Sequence, residues 1–235
     1  MAGLEIRHKA LALAGKVLGV EPELLDLDDG VIVERGVGPR TTLGELLAGF
    51  GAEGCSLLAE ARYSSAGSPL LKADAGLEWA SSIFWMIASQ AVEIEVDIET
   101  GVVRVVKVAA AADVGRAINP TACEQQIEGG VVMGVSNTLF EEFTMQDGRI
   151  QNGSLTDYKL ATIQDLPEIV PIIVESNHPE APFGAKGIGE PAAAATAPAI
   201  ANALFDAIGV RIKDLPLTPA KVLAAIEAAR SRGAL

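Results

Sequence analysis

The alternation of apolar and polar positions is strongest in "QAVEIEVDIETGVVRVVKV". Val92, Ile94 and Val96 alternate with Glu93, Glu95 and Asp97, an "IETG" turn follows, and Val103, Val105 and Lys107 resume the alternation. That period of two predicts a β-hairpin. Helical spacing marks residues 4–18, where Leu4, Ala10, Leu11, Ala14, Val17 and Leu18 can share one broad face. "LDLDDGVIVERG" reads as a second hairpin turning at Asp29-Gly30. Thr42 and Glu45 form a capping box that opens a short helix to about Phe50.

Between 51 and 80 the pattern is mixed: "SLLAEARY" suggests a strand, and a Ser/Gly/Pro/Asp loop follows, long enough to be functional or partner-facing. Beyond the central hairpin, Asn119 can cap and Pro120 can start a helix on which Gly129, Gly130 and Gly134 lie near one face, suiting close backbone packing. "MQDGRIQNGS" reads as another turn and "IVPIIVES" as a short buried strand. Pro191 starts a helix to about Ile208, and Thr218-Pro219 starts the last one, to about Arg230. Hairpins mixed with helices, without regular βαβ units, predict an α+β fold of hairpin-rich sheets with packed helices. The expected division is an N-terminal helix, hairpin and loop region over 1–80 and a core over 81–235.

Charge and cysteine usage remove function classes. A net charge of −13 opposes binding to a phosphate backbone or an anionic membrane surface, so neither nucleic acid nor membrane is expected as a partner. Cys55 and Cys123 are far apart, with no Cys/His cluster, so no metal ligated by this chain's side chains is expected. The opening "MAGLEIRHKALALAGKVLG" lacks a signal-peptide core, and the apolar run Ala192–Phe205 is too short to span a bilayer. The expected compartment is the cytoplasm, and the sequon Asn152-Gly153-Ser154 then reads as chance.

The chemistry candidate is "GAKGIGEP". Gly184, Gly187 and Gly189 form a G-x-x-G-x-G pattern that is neither a dinucleotide fingerprint nor a P-loop. Glycines let a backbone approach a ligand closely, and free N–H groups at the coming helix start suit an anion or polar ring. Glu190 stands where loop meets helix, a plausible station for a general base. Capping is the commoner role of such a residue. His8 and His178 lack a neighbouring nucleophile and read as structural; Asp113, Arg116 and Asn119 read as turn and cap residues, and Gln126 as a surface or packed amide.

Four stretches in order, "QAVEIEVDIETGVVRVVKVAAAADVGRAINP", "QQIEGGVVMGVSNTLFEEF", "DYKLATIQDLPE" and "GAKGIGEPAAAATAPAIANALFDAIGVRI", resemble the C-terminal part of the molybdenum-binding subunit of the xanthine dehydrogenase and aldehyde oxidase family. The resemblance covers most of the chain and is strongest from about 90 to 225. It implies a molybdenum cofactor, as molybdopterin or its dinucleotide, whose metal is held by the pterin. It implies Glu190 as general base, Gln126 as a hydrogen-bonding partner of the cofactor, and Lys186, Gly187, Ile188 and Gly189 as the pterin-contacting loop. The implied reaction is hydroxylation of a small molecule, an aldehyde or N-heterocycle, with water-derived oxygen.

Two departures qualify this. The family's second glutamine, seven positions after Gln126, is here Met133, and its earlier G-G-G-F-G segment, substrate-facing residues, iron–sulfur and flavin modules do not occur in this sequence. The expectation is a split enzyme or a truncated fragment that completes its site with a larger chain carrying those segments, with iron–sulfur and FAD on other subunits. A non-catalytic assembly or scaffold subunit is the competing reading; a stand-alone nucleotide-binding protein fits poorly, because no phosphate motif is complete.

Overall fold

The computed structural model describes residues 1–49, 57–62, 84–179 and 181–232. The chain divides into two compact units, Met1–Pro69 and Leu70–Leu235. The boundary expected at 80 falls outside the described residues.

In the first unit, helix α1 (Ala2–Leu18) precedes strands β1 (Leu25–Asp28) and β2 (Val31–Glu34), paired antiparallel. Asp29 and Gly30 both take positive φ, 43° and 78°, the backbone that a two-residue hairpin needs to match strand twist. Strand β3 (Gly38–Thr42) joins β2 on its other side. Helix α2 (Leu43–Ala48) opens on the capping box: Glu45 N–H donates to Thr42 Oγ1 at 3.1 Å and Thr42 N–H to Glu45 Oε2 at 2.9 Å. Leu11 and Ala14 of α1 bury against Leu25, Ile32 and Leu46. The strand expected at "SLLAEARY" does not form over residues 57–62, where no strand is present. That run has no β-branched residue to favour a strand. Most of the expected 51–80 loop lies outside the described residues.

The second unit is built on a three-stranded sheet in the order β4-β5-β8. Strand β4 (Ala88–Val96) pairs antiparallel with the central β5 (Val103–Asp113). Between β5 and β8 come helix α3 (Pro120–Leu139) and a small hairpin of β6 (Met145–Gln146) and β7 (Arg149–Ile150). Strand β8 (Glu168–Val174) then pairs parallel to β5. It is an edge strand with Ile172 and Val174 exposed, not a fully buried one, and the edge position accommodates Pro171. Helices α4 (Pro191–Ile208) and α5 (Pro219–Ser231) complete the unit, and Asn119 and Thr218 cap α3 and α5 through their side chains. Val105, Val108 and Ala110 of β5, Ile127, Val131 and Val135 of α3, Ile200 and Leu204 of α4 and Ile226 of α5 share one core. The fold is α+β.

Helices α3 and α4 touch through glycine. A Cβ on Gly130 would stand 2.8 Å from Ala192 Cβ, and one on Gly134 only 2.4 Å from Thr196 Cβ. Among the described residues Gly129 has nothing within 4 Å, and it takes no part in the α3–α4 contact. Both contacts advance by one turn together, so the two helices run parallel here. Gly134→Ala gains about 1 kcal/mol of helix propensity. It also forces a methyl onto a β-branched neighbour. The clash wins, and the variant is expected to lose about 1–3 kcal/mol in urea unfolding of the chain.

Candidate functional site

The candidate site grows from the C-terminal end of β5. Asp113 is buried there, and Gly115 follows with φ of 68°. A Cβ at Gly115 would lie 2.2 Å from Gly184 O and 2.9 Å from Lys186 N, so only glycine admits the 184–186 loop so close. Main-chain bonds fix the approach. Lys186 N–H donates to Val114 O at 2.8 Å, Asn177 N–H to Gly115 O at 2.9 Å, and His178 N–H to Gly184 O at 2.9 Å. His178 is buried, with its ring edge-on to Phe84 at 5.5 Å, and His8 is exposed on α1.

The Asp113 carboxylate gathers three donors. Gly115 N–H and Ser176 Oγ each reach Oδ1 at 2.9 Å, and Lys186 Nζ reaches Oδ2 at 2.7 Å. The Lys186 and Asp113 side chains are only 10% and 9% exposed. Burial opposes ionisation of Asp113. The bonds from Lys186, Gly115 and Ser176, with the Lys186 charge, outweigh it and hold the carboxyl below its ordinary value. The resulting stabilisation is full above the unfolded carboxyl's pKa of about 4 and disappears as pH falls through the lowered folded value. Thermal unfolding followed from pH 7 downward is therefore expected to show no loss from this group until about pH 4, and Asp113→Asn to remove part of the acid limb below it.

Beyond Lys186 the loop alternates. Ile188 packs against the hydrophobic core, while Gly187 and Gly189 on either side are exposed. Among the described residues, a Cβ at Gly187 would meet Phe84 Cζ at 3.7 Å and Met86 Sδ at 3.9 Å, and one at Gly189 would meet nothing within 4 Å. Among the described residues no hydrogen bond engages the N–H groups of Gly187, Ile188 or Gly189. Glu190 occupies the cap position of α4. Its carbonyl accepts from Ala193 N–H at 3.1 Å and Ala194 N–H at 3.2 Å. Its exposed carboxylate makes no cap hydrogen bond, and no other bond or ion pair among the described residues.

Gln126 lies on α3, exposed, one turn before Gly130. Gln126 therefore lies one turn toward the start of α3 from the Gly130–Ala192 contact, which is itself in the first turn of α4. Met133, two turns after Gln126 on the same side of α3, is also exposed. Glu190 and the loop's N–H groups stand at the start of α4, and Gln126 is exposed on α3 one turn before Gly130, which packs on Ala192. Among the described residues, no group of three or more His, Cys, Asp and Glu side chains could hold a metal ion, and no helix is long and apolar enough to cross a membrane.

Residues 1–167 match the family of the molybdopterin cofactor-binding domain. The chain belongs to that family. It is 33% identical over 228 residues to the 6-hydroxypseudooxynicotine dehydrogenase complex subunit gamma of Paenarthrobacter nicotinovorans, an alignment covering 94% of this chain and 27% of that protein. It is 39% identical over 133 residues to a putative xanthine dehydrogenase molybdenum-binding subunit of Escherichia coli K12, covering 56% of this chain and 18% of that one. The solved quinoline 2-oxidoreductase from Pseudomonas putida 86 superposes with a TM-score of 0.77 at 27% identity, covering 94% of this chain and 28% of that one. The chain therefore spans about a quarter of the length of the first of those relatives and of the solved structure. The resemblance to molybdenum-binding subunits of the xanthine dehydrogenase and aldehyde oxidase family holds along most of it.

The loop fits a pterin-borne metal. Unpartnered N–H groups and Cβ-free positions at 187 and 189 leave room and donors for a polar ring, and the open carboxylate of Glu190 stands beside them. Asp113, Gly115 and Ser176 were not legible as part of this region. Asp113 reads in sequence as a turn residue because its cationic partner lies 73 positions away.

Proposed function

We propose that this chain forms part of the molybdopterin site of a molybdenum hydroxylase, and that Glu190 is its general base. The carrying observation is the Glu190 carboxylate: exposed, unpaired among the described residues, and placed beside a glycine loop with open donors. A cap-only residue would accept from the helix-start N–H groups through its side chain; the Glu190 side chain makes no such bond.

The cofactor, when bound, supplies two-electron redox chemistry and oxygen derived from water. The chain's own residues do the rest. Gly187, Ile188 and Gly189 would donate main-chain N–H groups to the pterin, and Gly187 and Gly189 let it approach. Gln126 would offer its amide from α3. Glu190 would accept the proton released as oxygen is transferred, from a backbone position anchored by the α4 start and by the packing of Ile188. The substrate class is an aldehyde or an N-heterocycle; relatives named for quinoline and xanthine support the latter. The pterin is molybdopterin itself or its dinucleotide.

The relatives are several times longer than the stretch they share with this chain, so most cofactor and substrate contacts would be made outside these residues, by a larger chain of the same complex under this reading, with iron–sulfur and flavin subunits carrying electrons away. The complex is expected in the cytoplasm. Its native mass and molybdenum content test the reading. About one molybdenum per copy of this chain supports it. A folded, metal-free chain that never associates with a co-expressed large subunit sinks it.

A further inference from the structure

We infer that Asp113 and Lys186 form a latch that positions the glycine loop, so that the Lys186 side chain holds the loop from behind instead of touching the cofactor. This rests on the functional reading above for its consequence, though not for its geometry.

The direction of Lys186 is the first reason. A lysine meant for a ligand presents its ammonium to open space. Here Nζ points inward onto Asp113 Oδ2 at 2.7 Å, with the side chain 10% exposed. Lysine is almost never so buried unless paired. The second reason is what the carboxylate joins. Its donors come from three separate segments: the turn after β5 through Gly115, the exit of β8 through Ser176, and the loop through Lys186. One carboxylate thereby ties together the three backbones that meet beneath the site. The third reason is redundancy at one residue. Lys186 is held by its main chain on Val114 O as well as by its side chain. Four positions later stands Glu190, with Ile188 packed into the core between them. A root that loosens moves the carboxylate, and displacement by about 1 Å can cost on the order of 10²-fold in rate. Asp113 and Lys186 are therefore positioning residues.

Hydrogen exchange of the assembled complex tests this at the amides of Asn177, His178 and Lys186, whose main-chain bonds close the root. Asp113→Asn and Lys186→Met are each expected to speed exchange there roughly tenfold or more, with Val131 and Leu204 still protected. In the same preparations kcat should fall more than KM rises, molybdenum content should persist, and Lys186→Arg should restore most of the protection. Should Lys186→Met fail to fold, the near-isosteric Asp113→Asn carries the test alone. Unchanged exchange at the root in Asp113→Asn overturns the latch. So does loss of molybdenum from Lys186→Met without faster exchange, which would make Lys186 a cofactor contact. If Glu190→Gln instead leaves turnover intact, the functional reading fails while the exchange result still decides the latch.

Discussion

Glu190→Gln is expected to lower turnover of the assembled enzyme by about 10²–10⁴-fold, the usual contribution of a general base. The substitution keeps the side chain's size and removes only its ability to take a proton at working pH. It disturbs little else, because the carboxylate makes no cap bond and the α4 start is closed by the Glu190 carbonyl on Ala193 and Ala194. Stability is therefore expected to stay within about 0.5 kcal/mol of the parent, as for surface changes away from structural features. Steady-state kinetics paired with molybdenum quantification and native mass decide the matter. A slow variant with full metal and intact assembly assigns Glu190 to proton transfer. A variant with unaltered turnover leaves the chain as an assembly subunit, a reading for which Met133 in place of the family's second glutamine is the motivating feature.

What could be read from the chain alone follows the range of each interaction. Helix α4 is legible because Pro191 starts it and Gly209 ends it in the left-handed region. The hairpins at Asp29-Gly30 and Asp147-Gly148 are legible because the turn pair lies within the local pattern. Strand β3 was not, since "GPRTT" has no apolar alternation and becomes a strand only by pairing with β2. The parallel pairing of β8 with β5 joins residues about 60 positions apart, and nothing in "EIVPIIV" says which strand it will meet or that it will lie at an edge. Of three glycines near one face of α3, two meet α4 and Gly129 meets none of the described residues, a distinction set by the crossing of the helices and not by spacing. The candidate site divides in the same way. Its loop and its carboxylate are contiguous and stand out. The residues that hold the loop come from β5, the segment after β8 and the turn between β5 and α3, and each looks ordinary until the fold brings them together.

The Asp113–Lys186 pair should show itself in stability as a coupled unit. Removing one partner leaves a buried charge without its counter-ion, a change that typically costs about 3–5 kcal/mol. Lys186→Met and Asp113→Asn are each expected to fall in that range in urea unfolding of the chain, the first stranding the carboxylate and the second the ammonium. The double variant is expected to lose clearly less than the two singles together, because neither charge then remains to be solvated. The interaction energy from this cycle should reach about 1–3 kcal/mol. The two side chains are only about a tenth exposed, so added salt should reduce it little, unlike the exposed pair of Arg104 and Glu95 on the β4–β5 hairpin. Strict additivity would mean that each residue acts through its volume alone. Volume does not account for Asp113: asparagine fills nearly the same space and still accepts from Gly115 and Ser176, so any large loss on Asp113→Asn measures the charge on Lys186 and the hold it gives the loop.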